Sequence, residues 1–253
     1  MYAQERQQDI LRRARLAGRV DVVTLAEALD VTTETIRRDL TVLERAGVLR
    51  RVHGGAIPVE RLGFEPAVAA RDVVMTAEKE RIAKAALAEL PQDGAVIIDA
   101  GTTTGRLAEA IPVDRELTVV VNSPPLATVL ASRPNLTVVM LGGRVRGRTL
   151  ATVDDGALRP LSQLNVDVAF IGSNGVSVQR GLTTPDPAEA AVKRAMIAAA
   201  RRTVLLTDHN KIGDVHFAAF ATLADVDVII TDNGLTDRLF AEMRAAGPEV
   251  IRA

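Results

Sequence analysis

The chain has 253 residues, 47% of them hydrophobic and 25% charged, with a formal net charge of -1, which predicts a globular protein with a sizeable core. It has no cysteine and three scattered histidines, so we expect no disulfide, no thiolate or histidine-rich metal site and no cofactor. The N-terminus lacks a signal-peptide core and no apolar run approaches the roughly 18 residues that span a bilayer, so we expect a cytoplasmic protein without membrane contact.

Residues 1–57 predict a small domain that begins with three helices. Apolar residues recur with helical spacing from Gln4 to Ala17. Thr24 stands three residues before Glu27, a reciprocal capping pattern that predicts the start of a second helix. Thr32 is placed to cap a third helix. The apolar stripe of this third helix is Ile36, Leu40 and Leu43.

The third helix also begins a positively charged patch. Residues 35–55 include five arginines against two acidic residues, a balance that suits a polyanion, with an ordinary solvated face as the alternative. With the apolar stripe buried, Thr33 and Thr35 project outward at the start of the helix, where a helix-turn-helix enters a major groove. Of Arg37 and Arg38, one can reach a guanine edge while the other points to a phosphate, and both assignments stay open.

A two-stranded wing is predicted after this helix. The segment VLRRVHGGAIPV, residues 48–59, alternates as paired strands do and places Arg50, Arg51 and His53 beside the DNA backbone or in the minor groove. A turn histidine is the alternative for His53. The predicted DNA-binding residues are therefore Thr33, Thr35, Arg37, Arg38, Arg50, Arg51 and His53.

Residues 58–77 have the composition of a linker, and residues 78–253 predict a second, α/β domain. A helical pattern runs from Glu78 to Leu90. Short aliphatic runs then alternate with helical stretches such as 188–201 and 236–246. The runs are AVIID, LTVVV, LTVVM, VDVAFI, TVLLT and VDVIIT. Continuous apolar strands between helices predict a mostly parallel sheet that is covered on both faces.

Polar residues follow these strands, at the edge where ligands of parallel sheets bind. Asp99 ends the first strand and Gly101 permits a sharp turn. Thr102, Thr103 and Thr104 then offer hydroxyls and amides at a helix start, a seat for phosphate, with an ordinary capped turn as the alternative. The spacing matches neither the dinucleotide-binding nor the Walker-A pattern. Other strand ends contribute Asn122, Gly142, Gly143, Arg144, Asn174, Asp208 and Lys211.

Convergence of these residues would form a small pocket for a polyol phosphate. Glu189 and Lys193 lie four residues apart on a predicted helix and join the candidates, with a surface ion pair as the alternative. For Arg144, a solvated strand edge is equally compatible with the sequence.

Two segments carry a family resemblance. TLAEALDVTTETIRRDLTVLERAGVLRRVHGGA, residues 24–56, resembles the N-terminal winged helix of DeoR-family transcriptional regulators, with its TIRRDL-type recognition helix and R-x-HGGA wing. The remainder is similar to the family's C-terminal sensor domain, which resembles ribose-5-phosphate isomerase. The resemblance thus implies a winged helix-turn-helix followed by an α/β sensor domain.

The resemblance also implies effector contact for specific residues. Asp99 to Thr103 match a D-x-G-[ST]-T phosphate loop, and Asn122 matches a T-N-S segment in which Val121 replaces threonine. The other matches are Gly142 and Gly143 to a GG turn, Glu189 and Lys193 to E-A-x-V-K-R, and Asp208 and Lys211 to D-x-S-K, where Asn210 replaces serine. The two replacements bear on ligand specificity.

We therefore predict a transcriptional repressor that is released from its operator by a phosphorylated sugar. Residues 170–196 look most like regulators of fructose utilisation, so fructose 1-phosphate is the first candidate. A homo-oligomer that reads repeated half-sites is expected, because one winged helix makes a small interface. The alternatives are a sugar-phosphate isomerase that uses Asp99, Glu189, Asp208 and Lys211, and a constitutive DNA-binding protein with a degenerate sensor.

Overall fold

The structure is a computed structural model that describes residues 3–17, 19–58 and 65–253. The chain divides into two compact units, Met1–Pro66 and Ala67–Ala253, called here the N-terminal and the C-terminal unit. Residues 59–64 of the predicted linker lie outside the described residues. In the part of the chain that is described, no helix has both the length and the apolar character needed to cross a membrane.

The N-terminal unit is a winged helix-turn-helix. Its elements are α1 (Ala3–Ala17), β1 (Val20–Asp21), α2 (Val22–Ala28), α3 (Thr33–Arg45), β2 (Leu49–Val52) and β3 (Gly55–Pro58). The strands form an antiparallel sheet in the order β1-β3-β2. Residues from all three helices and from the strands form one core, which includes Ile10, Leu25, Ile36, Leu40 and Leu49. The predicted apolar stripe of α3 is confirmed, because Ile36, Leu40 and Leu43 are all buried.

The caps of these helices differ in part from the sequence prediction. Thr32 caps α3 as predicted, and its hydroxyl accepts a hydrogen bond from the amide of Thr35 at 3.2 Å. The predicted cap at Thr24 is wrong, because α2 begins two residues earlier. Asp21 is its N-cap, and the carboxylate accepts from the amides of Val23 and Thr24 at 2.9 and 3.3 Å.

Two glycines shape the tip of the wing. Gly54 has a φ of 77°, which favours glycine, and its carbonyl accepts from the amide of Val22 at 2.9 Å. Gly55 pairs with Asp21, and a Cβ there would lie 1.9 Å from the carbonyl oxygen of Val20. The HGG sequence therefore lets β3 approach β1 closely, and this pairing positions the residue that caps α2.

The C-terminal unit is built on a seven-stranded parallel sheet. The strands of this sheet are β4 (Asp93–Ile98), β5 (Glu116–Val121), β6 (Leu136–Met140), β9 (Val166–Gly172), β12 (Ala200–Leu206), β14 (Val228–Thr231) and β15 (Glu249–Arg252). Their order is β15-β14-β12-β9-β4-β5-β6, and every neighbouring pair is parallel. All six predicted runs are strands of this sheet, which confirms the predicted fold class.

Helices cover both faces of the sheet. They are α4 (Val68–Asp72), α5 (Thr76–Ala86), α6 (Thr102–Ala110), α7 (Pro124–Ala131), α8 (Asp155–Leu161), α9 (Pro187–Ala198) and α10 (Asp237–Ala245). Alternate residues of β4 enter opposite cores: Ile97 packs with residues of α8, α9 and α10, whereas Val96 and Ile98 pack with residues of α5 and α6. Two smaller sheets contain β7 (Arg144–Val145) with β8 (Thr152–Val153), and β10 (Gly175–Ser177) with β11 (Gly181–Thr184) and β13 (Ala218–Ala221).

One helix is shorter than the sequence predicts. The helical pattern extends over residues 188–201, but α9 ends at Ala198, and Ala200 already pairs with Val166 as the first residue of β12. The alanines and arginines at this point are good helix formers, so pairing in the sheet overrides local propensity here. In the predicted linker, residues 68–72 form α4 and α5 starts at Thr76.

Candidate functional site

The start of α3 presents the predicted recognition residues. The side chains of Arg37 and Arg38 are 55% and 81% exposed and lie 3.7 and 3.8 Å from the carboxylate of Glu34. Such exposed pairs are weak, so both arginines can leave Glu34 for a phosphate or a base. Thr33 and Thr35 are half-buried at the same end of the helix.

The acidic residue beside these arginines does not weaken the charge of the patch. Asp39 is buried and accepts hydrogen bonds from Nε of Arg6 at 2.5 Å and from Nε2 of Gln7 at 2.8 Å. Because Arg6 of α1 neutralises Asp39 inside the unit, the exposed acidic residue beside Arg37 and Arg38 is Glu34 rather than Asp39.

The wing adds further positive charge. Arg50, Arg51 and His53 are all exposed on β2 and its turn. The amide of Arg51 donates to Oε1 of Glu44 at 3.0 Å, which ties the wing to α3. Arg19, which the sequence prediction missed, donates from Nη2 to the carbonyl of His53 at 3.0 Å and places another guanidinium beside the turn.

In the C-terminal unit, the ends of neighbouring strands surround a polar cavity. The predicted residues that line it are Gly101, Thr102, Thr103, Thr104, Asn174, Glu189, Lys193 and Lys211. They come from the start of α6, the end of β9, the helix α9 and the segment after β12. Strand ends that are distant in sequence therefore meet at one edge of the sheet, as expected for a parallel sheet.

The start of α6 has the features of an anion seat. No side chain caps the helix N-terminus, so its first amides lack a capping partner, and the residues that carry them line the cavity. The hydroxyls of Thr103 and Thr104 are buried and have no hydrogen-bond partner among the described residues. A buried polar atom without a partner is costly, and a ligand oxygen in the cavity would satisfy it.

A buried ion pair joins Lys193, which lines the cavity, to Asp99 behind it. Lys193 contacts Oδ2 of Asp99, and both side chains are at most 5% exposed. The ammonium also donates to the carbonyl of Gly172 at 3.0 Å, and the amide of Gly172 donates to Asp99 at 3.0 Å. Burial raises the pKa of Asp99 above its ordinary value, while Lys193 and the amide of Gly172 oppose that rise.

Glu189 does not pair with Lys193. It accepts hydrogen bonds from the guanidinium of Arg146 and from the hydroxyl of Thr149, and Arg146 also lies 3.2 Å from Asp186. Glu189 and Lys193 are both buried and have different partners, so the alternative of a surface pair between them is wrong. Arg146, two residues after the predicted Arg144, thus contacts a residue that lines the cavity.

Three further predicted residues lie just behind the cavity lining. Asn122 accepts from the amide of Ala100 through its side-chain oxygen at 2.7 Å and so orients the loop that precedes α6. Asp208 is buried and lies 3.0 Å from Nζ of Lys211. Asp99, described above, is the third, and all three act on residues that line the cavity.

Gly142, Gly143 and Arg144 lie away from the cavity. Gly143 has a φ of 109°, and a Cβ there would lie 2.1 Å from the carbonyl oxygen of Val153. Glycine at position 143 is therefore explained by close packing of backbone segments. Arg144 is exposed and pairs with Asp154 at 2.8 Å. The predicted contact of these residues with an effector stays a prediction.

The cavity also contains residues that the sequence analysis missed. Arg71 of α4, within the predicted linker, lines it together with Ser173. Nearby, the buried ammonium of Lys79 donates to the carbonyls of Arg71 and of Val74, the latter at 2.6 Å. Burial, together with the charge of Lys211, lowers the pKa of Lys79 to about 8. The sequence offered no signal for Arg71, because the linker composition masked the short helix α4.

A second cavity adjoins the first and shares Gly101 and Thr102 with it. Its wall contains the side chains of Asp72 and Arg106, which form an ion pair at 3.1 Å, and also Ser123 and Leu126. The start of α6 is the common wall, so one ligand can place an anion in the first cavity and extend hydroxyl groups into the second.

Comparison with known proteins matches both units. Residues 6–61 match the DeoR-like helix-turn-helix domain, and residues 74–233 match the DeoR C terminal sensor domain. The chain is 37% identical over 251 residues to the HTH-type transcriptional regulator GlpR of Haloferax volcanii, covering 99% of this chain and 98% of GlpR. It is 36% identical over 215 residues to the uncharacterized HTH-type transcriptional regulator FruR of Bacillus subtilis, covering 84% and 85%. Among solved structures, ribose 5 phosphate isomerase A from Neisseria gonorrhoeae superposes with a TM-score of 0.39 and 17% identity over 53% and 52% of the two chains.

Proposed function

We propose that the chain, which belongs to the DeoR family of transcriptional regulators, is a repressor whose C-terminal unit binds a phosphorylated sugar. Binding of the sugar phosphate lowers the affinity of the N-terminal unit for its operator. Fructose 1-phosphate is the first candidate, because residues 170–196 look like those of fructose-utilisation regulators and a protein named FruR is among the relatives.

The observation that carries the effector proposal is the polar cavity at the start of α6. Uncapped amides and the unpartnered hydroxyls of Thr103 and Thr104 meet there, and the side chains of Lys193 and Lys211 line the same cavity. Amide and hydroxyl donors beside positively charged side chains are what a phosphate requires. The hydroxyl groups of the sugar would lie in the adjoining cavity.

The DNA-binding proposal is supported by the exposed arginines of α3 and the wing. Arg37 and Arg38 enter the major groove and share base and phosphate contacts, with Thr33 and Thr35 beside them. Arg50, Arg51 and His53 contact the backbone or the minor groove. The protein binds as a homo-oligomer, because a single module of this size makes a small interface and half-sites repeat by about one DNA turn.

The geometry does not favour turnover of a sugar phosphate. A general base must be able to accept a substrate proton, but Asp99 is engaged by Lys193 and Gly172, and Glu189 is engaged by Arg146 and Thr149. The relatives described above are regulators by name, so the chain is a regulator rather than an isomerase.

Ligand binding is tested by thermal unfolding of the full-length protein. Fructose 1-phosphate, fructose and inorganic phosphate are compared, and the phosphorylated sugar should raise Tm most, because only it fills both cavities. Thr103→Val, which removes the unpartnered hydroxyl and keeps the shape, should reduce the shift, whereas Thr128→Val on the exposed side of α7 should not. A shift of equal size with unphosphorylated fructose would contradict the proposal.

DNA binding is tested with operator and random duplexes. Arg38→Ala should lower operator affinity by about 1–3 kcal/mol and leave the thermal shift with fructose 1-phosphate unchanged. Arg159→Ala, an equally exposed arginine in the C-terminal unit, is the matched control and should bind operator as the wild type does. Equal affinity of the wild type for both duplexes would rule out a sequence-specific repressor.

A further inference from the structure

The short helix α4 is held to the C-terminal unit by polar contacts. None of its five residues is buried, so α4 gains little from apolar packing. The amide of Val68 donates to the carbonyl of Arg148 at 2.7 Å, and Asp72 pairs with Arg106 at 3.1 Å. An element with so few buried contacts lies at the low-stability end of a fold and responds readily to one added interaction.

This helix borders both cavities. Arg71 lines the polar cavity, whereas Val68, Ala69 and Asp72 line the adjoining one. The helix also begins one residue after the boundary between the two units, which falls between Pro66 and Ala67. A ligand that spans the two cavities would therefore contact the first element that follows this boundary in the chain.

The charges around the polar cavity are unevenly compensated. Lys193 is paired with Asp99, and Lys211 with Asp208, so each lysine already has its own carboxylate. For the side chain of Arg71, no ion pair is found within the described parts of the chain, and its Nε is buried without a hydrogen-bond partner there. A phosphate dianion entering the cavity would meet its uncompensated positive charge at Arg71.

The backbone that presents Arg71 is fixed from the other side. Lys79 of α5 donates to the carbonyl of Arg71 and to that of Val74. Between α4 and α5, Met75 has a φ of 56°, a left-handed conformation that non-glycine residues seldom adopt. The connection is thus a sharp and specific turn, which leaves α4 anchored at its C-terminal end.

We propose that Arg71 supplies the positive charge that holds the anion of the ligand, and that this contact fixes α4 and so signals occupancy to the chain that leads to the N-terminal unit. The proposal rests on the proposed function, because the ligand is the same phosphorylated sugar. Arg71 is a binding residue in this scheme, and Lys79 is a positioning residue that acts through it.

The first experiment measures affinity by calorimetry on the full-length protein. Arg71→Gln should bind fructose 1-phosphate and inorganic phosphate about 10- to 100-fold more weakly than the wild type, the usual loss for one charged hydrogen bond. Arg71→Lys, which keeps the charge but not the planar fork, should lose on the order of threefold to tenfold. Arg238→Gln, an exposed arginine of α10, is the matched control and should bind as the wild type does.

The second experiment measures hydrogen exchange of the amides of residues 67–75. Fructose 1-phosphate should slow their exchange in the wild type and in Arg238→Gln, and should leave it unchanged in Arg71→Gln at a concentration that saturates this variant. If Arg71→Gln lost affinity only because its fold was damaged, its unfolding midpoint without ligand would be lower and amide exchange would be faster throughout the C-terminal unit.

The outcomes separate this proposal from the function on which it rests. If the wild type binds neither probe, both fail. If the wild type binds fructose 1-phosphate and Arg71→Gln binds it equally well, the proposed function stands and the role of Arg71 is overturned. If affinity falls but exchange in α4 does not respond to ligand in the wild type, signalling through α4 is overturned. Should Arg71→Gln not fold, Arg71→Lys provides the same comparison.

Discussion

At the scale of single residues, a histidine in the segment after β12 is fixed by a carboxylate. Nδ1 of His209 lies 2.7 Å from Oδ2 of Asp232, and the backbone amides of His209 and Gly234 donate to the same carboxylate at 2.8 and 2.9 Å. The hydrogen bond with Asp232 raises the pKa of His209. Burial favours a higher pKa for Asp232, but these hydrogen bonds outweigh burial and lower the pKa to about 2.

This pair predicts a pH dependence of stability. Because the pKa of His209 is raised, its contribution to the free energy of unfolding is complete below pH 6.5, the ordinary histidine pKa, and is lost as pH rises through the raised pKa. The lowered pKa of Asp232 means that its contribution is complete above 3.8 and is lost as pH falls toward 2. The pair should therefore stabilise the fold most between those two ordinary values.

Urea unfolding of the wild type and of His209→Gln between about pH 5 and about pH 8 checks this expectation. The difference in free energy of unfolding should be on the order of 1 kcal/mol at the acid end, since the ring is partly screened by solvent, and should shrink toward the alkaline end. The exposed His53→Gln controls for the loss of a histidine. A difference that stays constant with pH would mean that packing, not the ion pair, is lost.

Residue types at the strand ends could be predicted from the sequence, but their partners could not. Polar residues after continuous apolar runs indicated an edge of a parallel sheet, and the lining of the cavity by Thr103 and Lys211 follows from that. Helical spacing placed Glu189 and Lys193 side by side, yet each finds a partner from another element. Such partners depend on the order of strands, which the spacing along one helix does not contain.

At the scale of elements, the place of a strand in the sheet and the length of a helix decide whether the sequence pattern reveals them. Most strands that the sequence predicts lie inside the sheet and are largely buried, and β6, which lies at an edge and is only half-buried or exposed, still has the long apolar run LTVVM. By contrast, β15 lies at the edge of the sheet and has only two apolar residues, Val250 and Ile251, so no run marks it. The helix α4 was equally hidden, because it has five residues and no buried side chain.

The tip of the wing gives a prediction for an element. Gly55→Ala would place a Cβ 1.9 Å from the carbonyl oxygen of Val20. Strand β3 must then move away from β1, which disturbs Asp21, the cap of α2. We expect a loss of about 1–3 kcal/mol in the stability of the N-terminal unit and weaker operator binding.

Gly147→Ala is the matched control for this change, because nothing lies within 4 Å of a Cβ at Gly147. Its stability should stay within about 0.5 kcal/mol of the wild type. Urea unfolding and operator titration of both variants provide the measurement. Normal operator binding by a stable Gly55→Ala protein would show that the wing tolerates a wider separation of its strands.

At the scale of the whole molecule, the proposed repressor couples two binding equilibria. If fructose 1-phosphate weakens operator binding by some factor, then operator must weaken the binding of fructose 1-phosphate by the same factor. We expect this factor to lie in the range of about 5 to 150, which corresponds to roughly 1–3 kcal/mol. The effect would be absent from a constitutive DNA-binding protein with a degenerate sensor.

Two titrations of the wild type measure this coupling. Fructose 1-phosphate is titrated into free protein and into protein saturated with operator, and the ratio of the two Kd values gives the factor. Arg38→Ala, whose operator affinity is lowered while its cavity is intact, should bind fructose 1-phosphate with the affinity of the free wild type at an operator concentration that saturates the wild type but not the variant. If the two Kd values of the wild type are equal, the two units bind their ligands independently. A ligand shifts an equilibrium only by its differential affinity for the two states, so release from DNA by fructose 1-phosphate would then be excluded.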